Sequence, residues 1–368
     1  MGYRGPTAKI FILLSLLSLT FSAEPTKEEF VNHSVVKTFQ SGDGQTFACV
    51  NFKSQASLKH LLLKNHTTQL LMQPGSFPYS TNGAKGSKIY ISNIDMCKIE
   101  CPYGTVPILT SYMTSMSTRH FHNNIGHNDT GNTNGYENVG TMMAAVETEP
   151  STFYGSQSSI SVWEPYLGTG RPPRYTGAVV VDPDMYGDNH AHFEIAWTNK
   201  DKSCTNLRCA GFIQLSNRIV PGAVLKPVST IDGKKYLIII SIFKIWDVWV
   251  LLFGEELVGY WPGELFTDLS GAANMIGWMG VASAATGEPF PPMGSGYSPD
   301  EGEGRAAFFT DVNVIYSSTS KFVSPNLSEI FTRTTNPNCY QVGRPSSYDS
   351  GLHFFFGGAG CSPSQFIK

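Results

Sequence analysis

Charge is scarce in this 368-residue chain: charged residues make up 15% of it, against about 25% in an ordinary soluble domain. The 26 Lys and Arg against 29 Asp and Glu give a net charge of −3 without a basic cluster. That excludes a phosphate-neutralising surface, and with it nucleic acid as a partner. Long uninterrupted apolar runs are missing too. Ile10–Phe21 is shorter than the ~20 residues of a membrane span. Tyr236–Gly254 carries Lys244 and Asp247 at its centre, each costing about 2.5–3.5 kcal/mol in lipid. No membrane span is therefore expected once the N-terminus is removed. A Gly-x-Ser-x-Gly elbow, a Walker loop, a Rossmann fingerprint and a His-Glu-x-x-His helix are all absent. Serine-hydrolase, nucleotide and zincin chemistry have no carrier, and no cofactor is called for.

What is present favours strands. The chain holds 36 Gly, 22 Pro and 12% aromatics, a composition suited to short strands and tight turns. Arg4 and Lys9 precede the apolar run, which ends at Ser22-Ala23; residues 1–23 read as a secretory signal. Secretion makes the 7 cysteines disulfide candidates first. Cys204 and Cys209 bracket four residues, and Cys339 with Cys361 can tie the last strands. Cys49–Cys101 is the third expected pair, with Cys97 left over. Zinc at Cys97-x3-Cys101 lacks a second pair at ligand spacing. Sequons at Asn32, Asn65, Asn128 and Asn326 suit a glycosylated extracellular surface.

Composition divides the mature chain. Residues 24–114 form one block, with hydrophobic alternation over 35–52 and a short amphipathic stretch at 58–65. Residues 115–140 are crowded with Asn, Gly, Thr and Ser, and read as a linker or loop. From 141 to 368 short strands follow one another, among them Ser159–Trp163, Ala178–Val181, His192–Trp197 and Ala210–Gln214, punctuated by turns at Pro183-Asp184, Tyr186–Asp188 and Ile231–Gly233. This predicts an all-β antiparallel sandwich behind a smaller N-terminal segment. Tyr236–Gly254 is predicted to be a hairpin, 236–243 and 248–254, because its two charges fall where a turn belongs.

Several separated motifs carry a family resemblance. Val36-Lys-Thr-Phe, Cys49-Val50, Leu61–His66 and Cys101–Ile108 are similar to the activation segment of the neprosin family of secreted plant proteins. Tyr186-Gly-Asp188, Trp197-Thr198, Cys204 with Asn206-Leu-x-Cys209, Gly259–Pro262, Pro292–Gly296 and Cys339-Tyr340 resemble its catalytic domain, in order. The resemblance implies a pro-segment followed by a sandwich of the glutamic-peptidase type, whose active members are acid endopeptidases cutting after proline. Such chemistry needs two carboxylates on one water, one ionised to take its proton and one protonated to donate.

The chain departs from that pattern where the acids belong. Counting back seven residues from Pro183, the first acidic position holds Thr176. The second, after Trp278-Met-Gly, holds Val281. A strand with a Ser-Gln pair also lacks room, since only Glu164–Tyr175 remains for it. Neither Thr nor Val shuttles protons in acid, so the chain reads as a non-catalytic homologue. Glu194 and Glu264 are the carboxylates left to substitute; Asp182, Asp184 and Asp188 read as turn formers. Tyr186, Trp197, Tyr260, Trp261 and Trp278 are core residues or the lining of a slot for a proline-rich peptide. A sugar-binding sandwich is a third reading, on composition alone. His190-x-His192 reads as surface histidines rather than half a metal site, and His120-x-His122 lies in the linker; no metal site is expected. An apoplastic or vacuolar location follows from the signal.

Overall fold

The computed structural model describes residues 9–11, 35–63, 66, 100–110, 139–165, 174–175, 178–200, 202–208, 210–285 and 287–362. Two sheets face each other across the core. The larger has nine strands, running from Ile213–Gln214 through Glu256–Pro262, Val248–Phe253, Leu237–Ile245, Gly155–Ser161 and Ala307–Ile315 to Gly351–Gly357 and Gln341–Val342, with Ser346–Tyr348 also on Gly351–Gly357. The smaller centres on Met275–Ala285, which pairs antiparallel with Val139–Thr148, itself paired with Ile330–Thr334. All the pairings of the nine-stranded sheet are antiparallel, so the sandwich expected from the strand pattern is present.

Local sequence explains the hairpin at the middle of the larger sheet. Leu237–Ile245 pairs with Val248–Phe253, and Ile245 faces Val248 across a two-residue turn. Trp246 takes φ 50° there and is 72% exposed, while Ile238, Ile240, Ile242, Val250 and Leu252 are buried. Each buried Ile, Val or Leu contributes about 1.5–3 kcal/mol. Lys244 Nζ is buried 5.6 Å from the ring centre of Trp249 without a hydrogen-bond partner among the described residues, and that burial lowers its pKa against the opposing charges of Asp247 and Glu264. Gly155, on the neighbouring strand, is required: an added Cβ would lie 2.4 Å from Phe243 Cβ.

The inner faces of the two sheets meet directly. Trp278 is fully buried and donates from Nε1 to Ser156 Oγ at 3.2 Å. Gly280 lets Met293 and Phe356 approach where a Cβ would sit 2.5 and 2.6 Å from them. Cys339–Cys361 is bonded across 22 residues and pins the C-terminal strands.

The N-terminal block forms its own three-stranded sheet, Val35–Gln40, Thr46–Asn51 and Thr105–Leu109. Short 3-10 turns follow at 52–54, 56–59 and 61–63, the last two overlapping the predicted amphipathic stretch 58–65. Cys49–Cys101 closes this unit. Lys9–Phe11, inside the stretch read as a leader, pairs parallel with Met275–Gly277. The edge of that strand presents unpaired backbone groups, which any extended segment can satisfy. The rest of the leader, Asn32, Asn65, Asn128, Cys97, Cys209, Thr176, His120, His122 and most of 115–140 lie outside the described residues.

Candidate functional site

Strand Met275–Ala285 carries the second of the two positions where acids were sought. Its inner-face residues, Trp278 and Ala282, join the main core. Val281 points the other way and is 5% exposed, forming a separate apolar cluster with Met143, Ala145 and Met279. Val281 is paired across the strands with Met143, and Met279 with Ala145. Four apolar side chains thus pave this outer face. Tyr175, the residue before Thr176, pairs with Ala282, the residue after Val281.

On the same sheet, Glu147 is buried and lies 3.8 Å from the Arg333 guanidinium. Thr141 and Ser283 are 3.2 Å apart on that sheet.

A second polar centre lies around the short helix Pro183–Tyr186. Asp182 caps it by accepting from the Met185 amide, and Gly187 closes it with φ 80°. The Tyr186 hydroxyl donates to Glu194 Oε2 at 3.0 Å and receives Asn206 Nδ2 at 3.1 Å. Glu194 is buried. Burial, with the field of Asp182, lifts its pKa to about 8, and the Tyr186 hydrogen bond and Arg208 offset this only in part. The carboxyl is therefore protonated in acid.

His192 also differs from the surface reading, being fully buried. Its ring stacks on Tyr186 at 3.7 Å between centroids. Nδ1 lies 2.9 Å from the Gly222 carbonyl oxygen and Nε2 2.9 Å from Asp188 Oδ1. Burial acts to raise the proton affinity of Asp188, but the hydrogen bond and charge of His192 outweigh it and hold the carboxyl below its ordinary range. His190 pairs instead with Glu164 at 3.2 Å. Glu164 also accepts the Ala191 amide at 2.9 Å. Among the described residues no three metal-ligating side chains converge on a site.

The remaining aromatic candidates are buried. Trp197 meets His60 edge-on at 6.2 Å and Phe266 at 6.1 Å. Trp261 packs on Phe212 at 4.7 Å. The Tyr260 hydroxyl is 3.1 Å from His66 Nε2 of the N-terminal block. Glu264, on the 3-10 turn Gly263–Leu265, lies 3.4 Å from His66 Nδ1 and has a half-exposed side chain. Glu194 faces Tyr186, whereas Glu264 faces His66. Cys204 is disulfide-bonded.

Sequence reasoning missed the contacts that join the two units. Gln45 donates to the Gly222 carbonyl and accepts the Val224 amide, at 3.1 and 3.0 Å. Gln55 does the same with Gln214, at 2.9 and 3.0 Å. A glutamine in a polar stretch carries no pattern that marks it as buried.

An antiparallel sandwich with a small disulfide-closed β unit seated on its flank defines a two-part all-β protein whose first part travels with the second. Two family matches cover the chain: the neprosin family over residues 175–359, and the neprosin activation peptide over residues 38–148. The chain belongs to the neprosin family. The activation-peptide match extends through Val139–Thr148, which the structure makes a strand of the sandwich.

Proposed function

We propose that this protein is a secreted, non-catalytic member of the neprosin family that retains the scaffold and not the proteolytic chemistry. The observation that carries the reading is Val281, a hydrocarbon side chain packed among Met143, Ala145 and Met279 where the resemblance calls for an acid. A carboxylate placed there would meet no donor among those three neighbours. Isolated buried carboxylates are costly and become neutral. Thr176 at the first position supplies no proton-transfer group in acid. Two disulfides among the described residues are consistent with an oxidising compartment. No helix among them is long and apolar enough to cross a membrane. A proline-rich peptide is the ligand this reading assigns.

A second reading has one observation in its favour. Glu194 holds its proton up to about pH 8, as the donor of an acid peptidase must in its working range. It places catalysis on Glu194 with Glu264, the first held by Tyr186 and the second beside His66.

The test compares the unmodified chain, Thr176→Glu, and Thr176→Glu with Val281→Glu on one proline-containing peptide at pH 3–6. Binding without product by the unmodified chain is expected. Post-proline cleavage by it overturns the proposal, and loss of that cleavage in Glu194→Gln establishes the second reading.

A further inference from the structure

We propose that residues 35–110 are a permanent, non-covalently held subunit, which stays on the sandwich after the chain is cut between residues 110 and 139. The proposal does not depend on whether the sandwich binds or cleaves a peptide. It rests on how the two units are joined.

The joint is built from amides. Gln45 and Gln55 are 6% and 1% exposed. Each uses both ends of its side chain on backbone of the sandwich, as a neighbouring strand would. Gln214, fully buried, returns a hydrogen bond from Nε2 to the Pro107 carbonyl at 3.1 Å. Cys101 and Asn217 exchange two more: the Cys101 amide donates to the Asn217 carbonyl and Asn217 Nδ2 to the Cys101 carbonyl, both at 3.0 Å. None of these groups gains or loses a proton between about pH 2 and 12. Leaving any of them unpaired in a dry interface is costly.

Apolar contact is continuous with this joint. Phe47, Phe52, Leu63, Val106 and Leu109 belong to one buried cluster with Phe212, Ile213 and Val220 of the sandwich.

Titratable contacts lie at the margin at Lys226 and Asp43, and within the joint at His66, whose side chain is 6% exposed. Lys226 Nζ reaches Asp43 at 2.6 Å, with His190 Nε2 3.4 Å from the same ammonium. The Lys226 and Asp43 side chains are 41% and 22% exposed. His66 sits between Glu264 and Tyr260, and His60 against Trp197. An ion pair as exposed as Lys226–Asp43 contributes little, and the amide joint itself holds no group that acid titrates. Cys49–Cys101 closes within the segment and Cys339–Cys361 within the sandwich; the partner of the bonded Cys204 lies outside the described residues, and the sequence expectation of Cys209 keeps that bridge within the sandwich as well.

A site-specific protease sequence introduced within 111–138 allows the full-length protein to be cut once. Two bands on denaturing electrophoresis without reductant, with a single species in size-exclusion chromatography at both pH 7 and pH 4, is the expected result. Two eluting species at either pH overturn the proposal. A single non-reduced band overturns it too, because a covalent bridge would then hold the segment. In the cut protein, Gln45→Ala with Gln55→Ala should release the segment at least about tenfold faster, whereas Lys226→Met should change the rate less than about threefold. Release of the double variant at the parent rate overturns the role given to the glutamines. The experiment on the unsubstituted cut protein decides the main claim even where the double variant does not fold.

Discussion

Replacing Glu194 with glutamine should change how stability depends on pH while leaving the fold in place. Glu194 is 4% exposed and its pKa is lifted from 4.5 to about 8, first by burial and then by Asp182. In the unfolded chain the group titrates at about 4.3. Between those values the folded protein holds a proton that the unfolded chain has lost. Stability therefore falls as pH rises through that window, by about 1.4 kcal/mol per pH unit from this group. The accumulated loss by pH 8 is several kcal/mol, a large share of a typical total of about 5–15. Glutamine keeps an acceptor for the Tyr186 hydroxyl and has no charge to desolvate. Urea unfolding of Glu194→Gln should match the parent within about 1 kcal/mol at pH 5. At pH 8 it should exceed the parent by several kcal/mol. Parallel stability curves for the two proteins across pH 5–8 would refute a buried neutral carboxyl at this position.

Four further expectations are open to direct measurement. Val281→Glu alone should destabilise the protein by several kcal/mol at pH 7 and by less at pH 4, where the new carboxyl is neutral; denaturant titration at the two pH values checks it. Removing Cys339–Cys361, which spans 22 residues, should cost about 3 kcal/mol, read as a shift of the urea midpoint relative to the parent. Gly211→Ala should destabilise by about 1–3 kcal/mol, because Gly211 has φ 144° and an added Cβ would fall 2.6 Å from Trp197 Nε1; a tryptophan fluorescence change should accompany it. Asn326 is exposed at the start of the 3-10 turn Leu327–Glu329, so secreted protein should carry a glycan there, and Asn326→Gln should lose the corresponding mass.

Those sites differ in how visible they were beforehand. The hairpin at 237–253 was legible because Lys244 and Asp247 cannot both sit inside a buried strand, which forces a turn between two β-branched runs. Cys339 and Cys361 were legible from compartment and position, as was the strand-rich sandwich from its turn residues. Trp278 was not: a tryptophan between Met275-Ile-Gly and Met279 looks the same whether it lines a slot or fills a core. The spacing of three puts Val281 on the opposite face of the strand, but only the contact of Trp278 with Ser156 shows that its own side is the core. His192 was misread because period-two spacing says which side a residue takes, not whether another element covers that side. Tyr186 covers it. The buried glutamines were invisible for a deeper reason, since their role depends on carbonyl and amide groups about 160 to 180 residues away in sequence, at Gln214, Gly222 and Val224.

The central claim is that this neprosin-family chain has lost its acid pair, and peptide cleavage tests it most directly. A mixture of proline-containing peptides would be incubated at pH 3–6 with the protein, both intact and cut within 111–138, and new ends counted by mass spectrometry. The account predicts no products ending in proline above the buffer blank from either form. Products ending in proline that scale with protein concentration would contradict it.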